Sequence, residues 1–346
     1  MTATPAAASD GGAPLHKGGP TRLAAKNPSK AGDRVFLGLS SGAAWLIMLI
    51  LAGVAIFLIV KATPAIAANW SSSVELGDQT AGNTAAFTNF WSYVGPLIFG
   101  TVWTAFLALL VGTPVAIGIA LFISHYAPRR IAGLLGYLVD LLAAVPSVVF
   151  GLWGLSVMRP FLQPLNAFLN DTLGWVPFFG GTLSAGGGTI LAGALVLAVM
   201  VLPIITSISR EIFLQTPSLH EEAALALGAT KWEMVRLAVI PYARSGIVSA
   251  TLLGLGRALG ETMAIAMIVS PKFLYSFQLL TDNNPGTIAS NIALQFSGSN
   301  ELQRDALIAT GLLLFVVSFA VNFVARWIVG RTAPGARRRT RKAKAA

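Results

Sequence analysis

Arg257, Glu261 and Asp140 are the three ionisable side chains that stand inside long apolar runs of this 346-residue chain. Charge inside hydrocarbon is costly, so such groups face a cavity or a partner and are site candidates by default. A guanidinium matches a tetrahedral oxyanion through its forked donors. A carboxylate beside it repels a bare anion but accepts the proton of a partly protonated one, which favours a protonated oxyanion over a fully deprotonated one. With two acids for one arginine, a second subunit bringing its own cation is expected. The opposing reading of Arg257 and Glu261, four residues apart, is an intrahelical ion pair that only holds helices together.

A second group of residues lies in a polar, strongly patterned segment, Gln215 to Pro241. Ser218 with Glu221, and Thr230 with Glu233, have capping-box spacing and predict two helix starts. Gly228 suits a left-handed stop between them, and Pro241 is expected to end the second helix. Glu221 and Glu222 stand where the helix dipole favours negative charge. The small residues Ala223 and Ala224 beside them let another surface approach closely. The plainer reading of this segment is a connector with no partner.

Both groups depend on the elements that carry them. With 55% hydrophobic and 11% charged residues, the chain departs far from soluble composition. Its apolar runs exceed the roughly 18 residues a helix needs to cross about 30 Å of hydrocarbon, whereas a barrel would show short alternating strands. Spans are predicted near 36–60, 97–123, 131–157, 189–209, 245–270 and 306–329, giving an all-α integral membrane protein of six transmembrane helices. At 1.5 Å rise per residue, Arg257 lies about 18 Å into the fifth span and Asp140 about 14 Å into the third, so the two could meet. Pro114, Pro146 and Pro203 mark kinks or hinges inside spans. Ser147 and Thr262 are weaker candidates for the path across.

Basic residues set the orientation. With both termini in the cytoplasm, the inner side holds the five Lys and Arg of residues 1–34, the eight from Arg326 onward, and Arg129, Arg130, Arg210, Lys231, Arg236 and Arg244. That is nineteen of 24, as the positive-inside rule requires, and it accounts for the net charge of +10 without nucleic acid. Residues 1–34 read as a disordered cytoplasmic tail, and 331–346 as a basic tail that is solvated or touches anionic lipid. There is no cysteine, and His16, His125 and His220 are scattered, so neither a disulfide framework nor a metal site is expected. No Gly-x-x-x-x-Gly-Lys-Ser/Thr loop is present, so ATP hydrolysis would have to come from a partner.

The segment Glu222-Ala223-Ala224, with Gly228 six residues after the Glu and Ile240-Pro241 closing the stretch, resembles the E-A-A signature of ABC importer permeases. The resemblance implies the type I importer permease fold, with a cytoplasmic hairpin of coupling helices that docks onto an ATP-binding subunit. It points to Glu221, Glu222, Ala223, Ala224 and Gly228 for coupling. Arg257-Ala-Leu-Gly-Glu-Thr-Met-Ala264 is similar to the signature of permeases of the high-affinity phosphate importer, as are Pro114 to Pro128 and Asp140 to Gly154, although Asp140 and His125 replace the Glu common in that family.

That resemblance covers 35–330 and implies phosphate passage by Arg257 and Glu261, with hydrogen phosphate favoured over sulfate. It also implies a second permease, two ATP-binding subunits that use ATP and Mg, and an external phosphate-binding protein docking at the loops 61–96, 158–188 and 271–305. Sulfate, molybdate and phosphonate permeases share the hairpin and are the nearest alternatives. An ion-coupled secondary transporter would have no use for it and would show an internal repeat, which is not found. A non-transporting scaffold would tolerate neutral residues in place of the buried charges. Gly256 and Gly260 have the small-xxx-small spacing for close helix packing.

Overall fold

The computed structural model describes residues 30–67 and 89–332. The two predicted tails lie largely outside these residues, and 30–34, assigned above to the first tail, are already helical. The chain divides into two units, Met1–Val54 and Ala55–Ala346. The first contributes the start of helix α1 (Lys30–Ala67), where the side chains from Val35 to Val54 are exposed and, Ser40 and Ser41 apart, apolar. A helix apolar all round belongs in lipid or a core.

The second unit is a helical bundle. Its helices are α2 (Phe90–Leu121), α3 (Arg129–Ala143), α4 (Ser147–Trp153), α5 (Arg159–Leu173), α6 (Ile190–Leu214), α7 (Ser218–Ala226), α8 (Lys231–Met234), α9 (Ile240–Leu259), α10 (Met263–Ile268), α11 (Ile288–Gln295) and α12 (Glu301–Thr332). Among the described residues, six helical stretches are long and apolar enough to cross a membrane: Arg34–Ala67, Phe90–Tyr126, Ser147–Leu173, Ile190–Leu214, Lys231–Leu259 and Glu301–Trp327. Several starts are fixed by side chains that satisfy orphan amides. The Asn89 side chain accepts from Ser92 N at 2.8 Å, and Thr189 and Thr287 serve α6 and α11 likewise.

Helix α6 is the centre, with 67% of its apolar window buried. Gly112 on α2 lies against Ala198 and Val201, and Thr206 donates to the Ala116 carbonyl, so α2 and α6 run parallel. Gly246 meets Ile212 and Gly254 meets Ile205, which makes α9 antiparallel to α6. The close approach of α9 therefore uses Gly246 and Gly254. The predicted pair Gly256 and Gly260 touches no other helix: Gly256 faces open space, and Gly260 meets only its own chain.

Two predicted spans are interrupted. The third is not one helix over 131–157: it breaks at Ala144–Pro146, and the spanning stretch is Ser147–Leu173. Pro146 forces the residue before it out of helical conformation and sits itself at ψ 140, where it caps α4. The fifth is not one helix over 245–270: it stops at Leu259 and restarts at Met263. The second helix of the polar segment, conversely, does not end at Pro241. A π turn at Val235–Val239 passes its last bond from Ile240 N to Val235 O and joins α8 to α9, with Pro241 at the start of α9. The wider turn accommodates a ring that lacks an N–H. The same device, Gly154–Met158, precedes Pro160.

The stretch predicted as the loop 271–305 is folded, with a short parallel pair of strands, β1 (Pro271–Lys272) and β2 (Asn284–Pro285), followed by α11. Asn284 accepts from Ile190 N at 3.0 Å, so this segment caps the central helix. The stretch 158–188 likewise is helical over its first half, as α5.

Helix α10 fits a groove whose floor is glycine. Gly151 of α4 and Gly154 of the π turn that follows it face Ala264, Met267 and Ile268, and Gly193 of α6 faces Val269 and Ile265. A Cβ at Gly151 would stand 3.0 Å from both Ala264 Cα and Met267 Sδ. Gly151→Val is therefore expected to destabilise the fold by about 1–3 kcal/mol through overpacking. Thermal unfolding of the detergent-solubilised protein measures it, and an unchanged midpoint would refute the groove as a packing constraint.

Candidate functional site

The break between α9 and α10 positions the first group of residues. Arg257 stands in the last turn of α9. Because α9 ends two residues later, Glu261 does not continue the helical face of Arg257. Its carboxylate turns back to accept from Ala264 N at 3.1 Å and so starts α10, and the residue is buried, 7% exposed. Thr262 donates to the Gly260 carbonyl at 3.1 Å and is the N-terminal flanking residue of α10. Among the described residues Arg257 has no ion pair, and its Nε is buried without a hydrogen-bond partner. The intrahelical ion pair considered from the sequence is absent.

Asp140 is not brought to Arg257 either. It accepts from Ser207 Oγ at 2.6 Å, which ties α3 to α6. Ser147 begins α4 one turn before Gly151, on the helix that carries α10. Arg159, at the start of α5, is not among the nineteen inner-side basic residues. It donates Nε to the Ile268 carbonyl at 2.8 Å and Nη2 to the same oxygen, holding the end of α10. No local pattern marks that role, since the partners are 109 residues apart.

Arg257 lines an open cavity of about 1180 Å³ between α9 and α12, together with Ser245, Ser249, Asn322, Arg326 and otherwise mostly apolar side chains. Among the described residues no carboxylate lines it. An unpartnered guanidinium on an apolar wall is an anion-binding arrangement, because nothing in the protein competes for its donors.

The second group forms the expected hairpin. Gly228 has φ +85, the left-handed turn read from the sequence. Thr230 and Glu233 complete their capping box, with Thr230 N donating to Glu233 Oε2 at 2.8 Å. The box expected at Ser218 and Glu221 is absent, since Pro217 precedes the helix and Ser218 lies inside it. Glu221 instead reaches His125 Nε2 at 3.4 Å, in the π turn Phe122–Tyr126 that closes α2. Lys231 adds a bond to the His125 carbonyl at 3.3 Å and lies 5.5 Å over the Tyr126 ring.

Ala224 packs with Phe213, Met234 and Val235, while Glu222 and Ala223 are exposed. Leu219, Leu227, Trp232 and Leu237 are exposed as well, Leu227 at 90%. The hairpin thus presents a small acidic and apolar face outward while its other face is clamped to the end of α2.

Known proteins resemble this chain over most of its length. The family model of the binding-protein-dependent transport system inner membrane component matches residues 112–335. A phosphate transport system permease protein PstC 2 of Mycobacterium tuberculosis is 47% identical over 306 residues, covering 88% of this chain and 93% of that protein. A phosphate transport system permease protein PstC of Xylella fastidiosa is 41% identical over 295 residues, covering 82% and 89%. Among solved structures, a bacterial ABC transporter involved in import of the acidic polysaccharide alginate matches with a TM-score of 0.51 at 18% identity, over 86% of this chain and 99% of that one, a likeness of fold. The chain belongs to the binding-protein-dependent transport system inner membrane component family, as a six-span membrane permease.

Proposed function

We propose that the chain passes inorganic phosphate across the bacterial cytoplasmic membrane as one of two permease subunits of an ATP-driven importer. The observation that carries this is the unpartnered Arg257 guanidinium on the wall of a large cavity free of carboxylates. The substrate class is supported by the names of the relatives that match most of the chain. Arg257 draws the anion from water into the low-dielectric bundle, where its donors replace lost hydration. Glu261, buried four residues on, acts on this path by starting α10, through the bond it accepts from Ala264 N. Asp140, Ser147 and Thr262 act on this path by holding its helices in place.

Energy comes from ATP and Mg²⁺ used by two ATP-binding partners, to which the hairpin transmits motion through Glu222, Ala223 and the Gly228 turn. The loaded partner is an external phosphate-binding protein. The charge split of the sequence supports termini on the cytoplasmic side, which puts the hairpin within reach of those ATPases.

The test is uptake of labelled phosphate into liposomes holding the complete complex. ATP-dependent accumulation that survives a large excess of sulfate is the expected result. Uptake of sulfate or molybdate in place of phosphate would transfer the same mechanism to that oxyanion and end the phosphate assignment.

A further inference from the structure

The cavity beside Arg257 holds a second guanidinium, that of Arg326 on α12. By sequence Arg326 is only the first of the eight inner-side basic residues at the C-terminal end, just inside the last predicted span. Its place in the bundle is more specific. Helix α12 begins among Phe90, Val94 and Leu97 at the start of α2, in one cluster with Ala306 and Ala309. Helix α9 begins among Ala120 and Leu121 at the other end of α2, through Ala243. The two helices are therefore antiparallel, and Arg326, late in α12, falls toward the Ser245 end of the cavity. Arg257 stands at the opposite end, about 18 Å along α9 at 1.5 Å per residue.

Besides the two guanidiniums the cavity offers the Ser245 hydroxyl and the second amide hydrogen of Asn322, whose first goes to the Ser318 carbonyl, while the Ser249 hydroxyl donates to the Ser245 carbonyl. The acids of the bundle are turned away: Glu261 onto the Ala264 amide and Asp140 onto Ser207. A single buried cation would trap an oxyanion, whereas passage requires sites that bind well enough to admit the ion and weakly enough to release it. Two cations joined by neutral donors meet that requirement.

We propose that Arg326, with Asn322 and Ser245, forms a second oxyanion station at the end of the cavity away from Arg257, and that a phosphate-type anion passes from one guanidinium to the other. This rests on the reading of Arg257 as the anion-passing group. The chemistry recognised is a phosphate-type oxyanion, free or as a lipid headgroup, and the free anion is the occupant proposed.

The experiment uses the complete importer in two kinds of liposome, phosphatidylcholine alone and phosphatidylcholine with phosphatidylglycerol, and reads initial phosphate uptake, ATPase activity stimulated by the loaded binding protein, and recovery of the ATP-binding subunit with the permease. Arg326→Gln is expected to lower uptake about tenfold in both lipids, from the loss of one charge-assisted bond, with recovery of the ATP-binding subunit unchanged. Arg326→Lys should retain most uptake, and Asn322→Leu should lose about threefold. Parental uptake by Arg326→Gln overturns the station. A loss confined to the anionic liposomes assigns Arg326 to lipid and overturns it as well. Equal losses in Arg326→Gln and Arg326→Lys, with the ATP-binding subunit no longer recovered, make the residue structural. A parental complex that moves another oxyanion but no phosphate ends the phosphate assignment alone, and the Arg326 comparison is then read on that anion.

Discussion

Arg257→Gln is expected to lower ATP-driven phosphate uptake by about a hundredfold or more while leaving the melting temperature of the permease within a few degrees of the parent. The magnitude follows from removing a charge, and not merely a donor, from a site of low dielectric, where attraction for an anion is far stronger than in water. The unchanged stability follows from the geometry. Removing one member of a buried ion pair strands the other and costs several kcal/mol. Arg257 has no such partner among the described residues, because Glu261 is satisfied by Ala264 N. The two quantities therefore separate the anion-path role from an ion-pair role. A large drop in melting temperature with uptake reduced only in proportion to the folded protein would identify Arg257 as a helix staple, and parental uptake would remove it from the path altogether.

Glu222→Ala should reduce uptake about tenfold or more with the permease still inserted and still folded. The reason lies in how the hairpin divides its residues. Glu221 and Ala224 are used inside this chain, against His125 and the Phe213 cluster. Glu222 and Ala223 are exposed on the remaining face, where they make no contribution to the hairpin itself. Truncating Glu222 therefore carries no folding cost, since surface substitutions away from such features change stability by about 0.5 kcal/mol or less, and in the proposed coupling role it removes the contact with the ATP-binding partner. Hydrolysis of ATP by the complex, measured alongside uptake, distinguishes the outcomes. Uptake and hydrolysis both at the parental level would exclude Glu222 from coupling. Helix α8 continues through the π turn directly into α9, which carries Arg257.

Parts of the hairpin could be named from residue types because they reside in local strings. Gly228 announced a left-handed turn, and Thr230 with Glu233 a helix start, each a matter of bonds within a few residues. The same reasoning misplaced the Ser218 box by one residue: spacing alone does not say whether Ser218 precedes the helix or lies in it, and Glu221 found a partner 96 residues away. It also drew 245–270 as one helix, since every residue of that run suits a helix. The interruption after Leu259 is accompanied by tertiary contacts, the glycine groove of α4 and α6 and the Arg159 guanidinium at the far end of α10.

Composition and apolar length by themselves determined that this chain crosses the membrane six times, which segments are too polar to do so, and which charges are anomalous in their surroundings. These are properties of a run of residues against a solvent, so no knowledge of neighbours is needed. Only the tertiary structure decided what each anomalous charge faces. Asp140 and Glu261 are occupied within the bundle, and Arg257 opens with Arg326 onto one cavity. Which partner a buried charge takes depends on side chains distant in sequence, and the direction it points changes when a helix breaks after Leu259 and restarts at Met263.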